Sequence, residues 1–251
     1  MKTVASPWIR NFQPAPDAPA QLVCLPHAGG SAAFYLPMAR ALTPGVDVLA
    51  IQYPGRQDRR REGFVPSVQQ MAELIAREIR PLLDQPTALF GHSMGAAIGF
   101  ELAALLEADG ADLLGLFVSG RRAPSAMRDE AVHRLADREL IEELKRLGGT
   151  DPTTFDDDEL VQMFLPVVRA DYRAIETYRH RGGPALRCPI VVLTGDADPH
   201  VTRAEAEAWA KHTTGGFELV SFRGGHFYLL DHAGQVIGVL SERLSGALAT
   251  R

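Results

Sequence analysis

The stretch at residues 89–96 restricts the fold of this chain more than any other. An apolar run leads into Gly91-His92-Ser93-Met94-Gly95, and an alanine-rich helical pattern follows directly. A Gly-x-Ser-x-Gly turn between a strand and a helix is the setting of a nucleophile elbow, which holds its serine in a strained backbone conformation. Glycine is required at 91 and 95 because a Cβ atom there would collide with the neighbouring strand or helix. The pattern predicts a nucleophilic Ser93 at the carboxyl edge of a sheet; the alternative is a glycine-rich turn with an incidental serine.

Apolar runs and helical patterns alternate on both sides of this turn. Strands are predicted at residues 21–25, 47–52, 86–90, 113–118, 189–194 and 217–222, and helices at 33–42, 67–83, 94–108, 202–212 and the carboxyl terminus. Each strand is continuously apolar, as expected when helices cover both faces of a sheet. The fold class is therefore α/β, with a doubly wound, mostly parallel sheet.

The alternation breaks between residues 121 and 183, where only helical patterns occur. They cover residues 137–147 and 158–178, and the second contains Pro166. An insertion after the carboxyl edge of a strand would lie over Ser93. We therefore predict a helical lid at 121–183 on one core built from 1–120 and 184–251; the alternative is extra helices packed elsewhere on that core.

Composition excludes several classes of protein. A chain of 251 residues with a net charge of -5 is large enough for one core and gives no sign of nucleic-acid binding. Cys24 and Cys188 lie in apolar runs, which indicates buried thiols rather than a disulfide scaffold or a metal site. The chain lacks a signal-peptide pattern and any run near the ~18 apolar residues of a membrane span. We expect a soluble cytoplasmic protein with no membrane partner.

A nucleophilic serine needs a base, and the base needs an orienting acid. Both should lie in loops at the carboxyl edges of later strands, because that edge faces the elbow. The loop after residues 189–194 offers Asp196 and Asp198. We favour Asp198, because Asp196 directly follows the strand and is placed to hydrogen-bond its own turn. Residues 119–122, after the preceding strand, contain no acid.

The base is predicted to be His226, which follows the final core strand and is released from it by Gly224 and Gly225. His200, beside the favoured acid, and His232, in the last helix, are the alternatives. His92 lies inside the elbow and is expected to be structural, packed at the end of its strand.

An oxyanion hole needs two backbone donors near the nucleophile. The N–H of Met94 is one, because it begins the helix after the elbow. The loop after the first strand, residues 27–30, is rich in small residues, which allow the backbone to approach a substrate closely. The N–H of Ala28 is therefore the second candidate. His27 is either a substrate contact or a cap of that loop.

Five motifs together resemble one family. They are Leu25-Pro26-His27-Ala28-Gly29-Gly30-Ser31, Tyr53-Pro54-Gly55-Arg56-Gln57-Asp58-Arg59, Gly91-His92-Ser93-Met94-Gly95, Gly195-Asp196-Ala197-Asp198 and Gly224-Gly225-His226-Phe227. In this order and spacing the chain resembles the type II thioesterases that accompany modular polyketide and nonribosomal peptide synthetases. These enzymes have the α/β-hydrolase fold with a helical lid.

The resemblance implies an activity and a set of roles. The family hydrolyses acyl thioesters on the phosphopantetheine arm of acyl or peptidyl carrier proteins. By this resemblance Ser93 is the nucleophile, Asp198 the acid and His226 the base, with the amides of Ala28 and Met94 as the oxyanion hole. The implied chemistry requires no cofactor and no metal, since the substrate itself carries the phosphopantetheine. We expect a monomer with a carrier protein as its transient partner.

A basic cluster is a candidate contact for that partner, because carrier proteins are usually acidic. The cluster consists of Arg56, Arg59, Arg60 and Arg61. We single out Arg60 and Arg61 as residues that bind the carrier protein or the pantetheine phosphate. The alternative is a solvated loop with ion pairs to Asp58 and Glu62.

Other functions are compatible with the same motifs. A small-molecule esterase or lipase uses the same three side chains, and so does an acyltransferase in which an alcohol or amine replaces water. A non-catalytic binding protein with this fold is disfavoured by the complete set of catalytic residue types. The motifs leave the acyl chain length open.

Overall fold

A seven-stranded sheet in the order β1-β3-β2-β4-β5-β6-β7 forms the centre of the computed structural model, which describes residues 6–150 and 152–250. The strands are β1 (Ile9–Arg10), β2 (Gln21–Leu25), β3 (Asp47–Ile51), β4 (Thr87–His92), β5 (Gly115–Ser119), β6 (Ile190–Gly195) and β7 (Phe217–Phe222). Only β1 runs antiparallel to its neighbour β3 in this sheet. The predicted α/β class with a mostly parallel sheet is confirmed. Residues 1–5 of the amino-terminal segment lie outside the described residues.

The helices follow the predicted alternation. They are α1 (Leu36–Leu42), α2 (Val68–Ile79), α3 (Met94–Ala108), α4 (Asp137–Leu147), α5 (Asp158–Glu176), α6 (Arg203–Glu207), α7 (Tyr228–Asp231) and α8 (Ala233–Ala249). The Ser67 hydroxyl caps α2 by accepting a hydrogen bond from the Gln70 N–H at 3.3 Å. This helix ends earlier than predicted and tightens into a 3₁₀ turn that contains Pro81, which has no N–H to continue the α-helical ladder.

Both faces of the sheet are covered, so alternate residues of one strand enter two different cores. Val23 and Leu25 of β2 pack with α2 and α3, whereas Leu22 and Cys24 pack with α1 and α8. This double burial explains why the strand is continuously apolar. Cys24 and Cys188 are buried free thiols, as predicted.

The chain between β5 and β6 contains α4 and α5 and has a small core of its own. Leu140 and Leu144 of α4 pack against Leu165 and Val168 of α5. We call residues 121–183 the lid. Within the described part of the chain, no helix combines the length and apolarity that a membrane span needs.

The elbow depends on an unusually close approach between backbones. A Cβ atom at Gly95 would lie 2.0 Å from the Leu25 carbonyl oxygen, and one at Gly91 would lie 2.2 Å from the Gly95 carbonyl oxygen. Backbone atoms cannot rotate away as a flexible side chain can. Only glycine allows α3 to start this close to β2 and β4.

We predict that Gly95→Ala lowers the free energy of unfolding by about 3 kcal/mol or more, because the added methyl group overlaps the backbone. Gly99→Ala, one turn further along α3, is the control. Its Cβ atom would meet only the Leu116 and Leu25 side chains, at 3.3 and 3.5 Å, so we expect a change within about 1 kcal/mol. Urea denaturation of the two variants measures both values; equal losses would contradict the backbone explanation.

Candidate active site

Ser93 lies at the amino end of α3 in a conformation that residues with side chains rarely adopt. Its φ is 54° and its ψ is -115°. The Ser93 N–H donates to the Ser119 carbonyl at the end of β5, at 2.8 Å. This bond fixes the turn to the neighbouring strand. The half-buried side chain lines a cavity at the carboxyl edge of the sheet.

Asp198 and His226 come together at the same edge. The His226 Nδ1 donates to the Asp198 Oδ2 at 2.8 Å, and both side chains are almost completely buried. The other carboxylate oxygen of Asp198 accepts a hydrogen bond from the backbone N–H of His200 at 2.8 Å. Because these bonds hold the carboxylate on two sides, the imidazole has one defined orientation. His226 lines the same cavity as Ser93.

The alternative residues have other contacts. Asp196 accepts the Gly224 N–H at 2.8 Å, so it ties together the two loops that carry the acid and the base. The ring of His200 lies edge-on to His226, with 5.2 Å between ring centroids. His232 donates to the Arg223 carbonyl at 2.8 Å. These contacts favour the predicted pair Asp198 and His226 over the alternatives.

The two predicted oxyanion donors lie on either side of the elbow in the sequence, one in the loop after β2 and one directly after Ser93. Ala28 lines the cavity and lies in the loop after β2. Met94 is the first residue of α3, so its N–H has no acceptor within the helix ladder. His27 is buried between Phe34 and Phe227, with ring centroids 4.7 and 4.9 Å away. This packing favours the loop-supporting interpretation of His27 over a substrate contact.

The lid forms the roof of the cavity. Lid residues that line it together with Ser93 and His226 are Arg121, Glu130, Val132, Leu147, Tyr172, Ile175 and Glu176. The free space is about 40 Å³, which is enough for only a few water molecules. Lid residues therefore leave little free space directly above Ser93.

Charged groups in the roof are partly neutralised by one another. Burial opposes a negative charge on Glu130, but the nearby His200 and the hydrogen bonds from Arg122 outweigh burial and lower its pKa to about 2. Burial lowers the pKa of Arg121 to about 10, still well above neutral. Both side chains are therefore charged at neutral pH, and the roof is polar.

A buried polar chain supports the elbow from below, and the sequence analysis did not identify it. The His92 Nδ1 lies 2.9 Å from the Ser119 Oγ, which lies 2.7 Å from the Tyr228 hydroxyl. Burial, followed by the nearby His226 and His27, holds the pKa of His92 well below its usual value. His92 is thus a neutral structural residue, as its position at the strand end predicted.

The basic cluster divides into two buried and two exposed arginines. Arg59 is 5% exposed and pairs with Glu62 at 2.6 Å. Arg56 is 6% exposed and pairs with Asp171 of the lid at 2.6 Å. Arg60 and Arg61 are exposed, and within the described residues neither forms an ion pair.

Asp171 is a further residue that the sequence analysis missed. It lies on the buried stripe of α5 with Val167, Val168, Ala174 and Ile175. A carboxylate in such an apolar stripe was the available signal, because it requires a buried cation. Its partner could not be identified from spacing alone, since Arg56 lies 115 positions away.

Comparison with known proteins identifies the family. A thioesterase-domain family model matches residues 20–244. The chain is 46% identical to thioesterase PikA5 of Streptomyces venezuelae over 239 residues, 94% of this chain and 85% of that protein. The chain belongs to the thioesterase family.

Solved thioesterase structures support the same assignment. The type II thioesterase BorB of the borrelidin biosynthetic cluster is 54% identical, with a TM-score of 0.90 over 97% of this chain and 99% of that one. YbtT, a type II thioesterase of the yersiniabactin NRPS/PKS pathway, is 31% identical, with a TM-score of 0.86 over 96% and 99%. The resemblance to type II thioesterases is confirmed, and this thioesterase is a thioester hydrolase with the α/β-hydrolase fold.

No group of three or more histidine, cysteine or acidic side chains is arranged to hold a metal ion among residues 6–150 and 152–250.

We predict that the thioesterase loses stability as the pH falls from about 7 to about 5. Burial, followed by charge on His226 and Arg56, lowers the pKa of His27 to about 3, and His92 is shifted in the same direction. Protons are taken up on unfolding below about pH 6.5, so His27 alone makes the free energy of unfolding fall by roughly 2 kcal/mol over this range, and His92 adds a change of the same sign. Urea denaturation at several pH values measures the slope.

His92→Gln is the control for this pH dependence. We expect the slope to become shallower in the variant, since one of the two buried imidazoles is gone. An unchanged slope would show that other groups cause the pH dependence.

Proposed function

We propose that this thioesterase hydrolyses acyl thioesters on the phosphopantetheine arm of an acyl or peptidyl carrier protein, in polyketide or nonribosomal peptide biosynthesis. Ser93 is the proposed nucleophile, His226 the base and Asp198 the orienting acid. The observation that carries the proposal is the buried 2.8 Å hydrogen bond between His226 and Asp198 beside the cavity that Ser93 lines. The pathway named for the similar YbtT supports the choice of substrate class.

The proposed reaction has two stages. His226 accepts the proton of the Ser93 hydroxyl as the serine oxygen attacks the thioester carbonyl, and the negative oxygen faces the amides of Ala28 and Met94. The carbon–sulfur bond breaks, and the pantetheine thiol leaves with the proton from His226. His226 then activates a water molecule, which releases the acyl group as a carboxylic acid and restores the Ser93 hydroxyl.

A carrier protein explains features that a small free ester does not require. The phosphopantetheine arm is long and thin, and the cavity under the lid is narrow and closed on several sides. Arg60 and Arg61 are exposed while the nearby acids Asp58 and Glu62 are engaged with Arg10 and Arg59. These two free cations suit an acidic carrier surface or the pantetheine phosphate. Action without a cofactor, a monomeric state and a cytoplasmic location stay predictions.

Ser93→Ala is expected to lower thioester hydrolysis at least about 10⁴-fold, because no other group in the cavity replaces the nucleophile. Mass spectrometry of carrier proteins loaded with acetyl, butyryl or longer acyl groups measures the loss and the chain-length preference. Ser241→Ala, on the exposed face of α8, is the matched control and should leave the rate unchanged.

Three outcomes of this experiment would change the proposal. If Ser93→Ala hydrolysed the thioester as fast as the unmodified protein does, the serine mechanism would be wrong. A matched oxoester cleaved faster than the carrier thioester would instead favour a small-molecule esterase, and product formed only with an added alcohol or amine would favour an acyltransferase.

Charge reversal at Arg60 and Arg61 tests the carrier contact. Arg60→Glu with Arg61→Glu should raise KM for the carrier-bound thioester about 10-fold or more, since two attractive contacts become repulsive. KM for a small soluble thioester should stay the same. Arg40→Glu with Arg77→Glu, two exposed arginines on α1 and α2, is the control for the change in net charge. An equal response of both substrates to the Arg60 and Arg61 variant would contradict docking at this site.

A further inference from the structure

A buried ion pair joins the lid to the core next to the proposed oxyanion hole. Asp171 of α5 is 3% exposed and Arg56 is 6% exposed. The Arg56 guanidinium donates to the two carboxylate oxygens at 2.6 and 2.9 Å, a bidentate arrangement. The pair is the direct polar link between the lid helix α5 and the loop after β3.

Both partners also hold the loop that contains Ala28. The Asp171 Oδ2 accepts the Gly29 N–H at 2.8 Å. Arg56 donates to the Gly30 carbonyl at 3.1 Å. The peptide group between Ala28 and Gly29 therefore has its N–H fixed by a lid carboxylate, and the following residue is fixed by the counter-ion of that carboxylate.

The same lid helix packs directly on this turn. Gly29 has a φ of 77°, and a Cβ atom there would lie 2.8 Å from the Val168 side chain and 3.2 Å from the Phe164 ring. Val168 precedes Asp171 by about one helical turn. Helix α5 thus contacts this turn closely through both apolar and polar side chains. A displacement of α5 moves the Asp171 carboxylate away from the Gly29 N–H.

Packing alone does not require an ion pair at this place. Removing two charges from water costs free energy, and apolar residues of similar size would close such a contact equally well. What an apolar pair does not provide is an acceptor for the Gly29 N–H. The specific consequence of Asp171 is therefore the orientation of the backbone beside Ala28.

We propose that Asp171 is a positioning residue that holds the Ala28 amide in the oxyanion hole from the lid, with Arg56 as its counter-ion. This inference rests on the proposed function, because it assigns the Ala28 N–H to the negative oxygen of the intermediate. We place substrate entry in a state with the lid displaced, because lid residues roof the cavity and leave about 40 Å³ of free space. The oxyanion hole is then complete only when α5 returns over the bound thioester.

Asp171→Asn tests this positioning role. The variant keeps the size of the side chain, but it has one acceptor oxygen and an NH2 donor where the carboxylate accepts three hydrogen bonds, two from Arg56 and one from Gly29. We expect kcat for the butyryl thioester of N-acetylcysteamine to fall about 10- to 100-fold, with KM within about threefold, because the lost interaction acts on the transition state. The pH profile of kcat/KM should keep its midpoint, since Asp198 and His226 are untouched.

Arg169→Gln is the matched control for a general effect of the lid. Arg169 lies on the same helix and donates to the His133 and Leu135 carbonyls within the lid, at 2.6 and 2.7 Å. We expect this variant to keep kcat within about twofold even where its Tm falls as far as that of Asp171→Asn. Equal losses of kcat in the two variants would overturn the proposal.

A double variant separates positioning from stability. Arg56→Met with Asp171→Leu leaves no unpaired buried charge, so its Tm should exceed that of Asp171→Asn. Its kcat should stay low, since the Gly29 N–H still lacks its acceptor. Recovery of kcat together with Tm would overturn the positioning role.

The failure of this inference is distinguishable from failure of the proposed function. If Ser93→Ala is inactive and Asp171→Asn retains the full kcat, the positioning role is wrong and the serine mechanism stands. If the unmodified protein cleaves neither the soluble thioester nor the carrier thioester, and a fluorophosphonate does not label Ser93, the proposed function itself is wrong.

Discussion

The contact between the start of α3 and the end of β2 is the constraint on which the rest of the site depends. Gly95 and Gly91 allow backbones to meet where any side chain would overlap them. The contact sets the direction in which α3 leaves the sheet, and therefore the position of Ser93 and of the Met94 N–H. Because the parallel strands present their carboxyl ends at one edge, the loops after β2, β6 and β7 reach the same point.

Local sequence patterns were sufficient to predict the architecture and the functional side chains that directly follow strands. Continuous apolar runs predicted β2 and β7 with their observed bounds, and the position of Asp198 and His226 after successive strands predicted that they would meet. The contacts of the basic cluster could not be predicted from such local patterns. Four neighbouring arginines look alike in the sequence, yet Arg59 finds a partner three positions away and Arg56 finds one on a distant helix. Contacts between remote segments depend on packing that periodicity does not describe.

The lid covers the cavity and also places charged side chains beside it. Its residues bring Glu130, Arg121 and Asp171 close to the cavity, and each has a defined counter-charge or hydrogen-bond partner in the core or the lid. A roof of this kind combines an apolar seal at Val132 and Ile175 with fixed charges beside it. The cavity beside Ser93 therefore presents both an apolar and a charged surface.

The two buried imidazoles next to the base have a consequence for the proposed reaction. His92 lies 4.9 Å from His226 between ring centroids, and His27 lies 5.8 Å from His92. Since burial keeps both rings uncharged, a proton arriving on His226 meets no cation among these rings, and the carboxylate of Asp198 faces it on the other side. The three histidines thus form a row with the base at one end, and the two uncharged rings fill the volume beside it without repelling its charge.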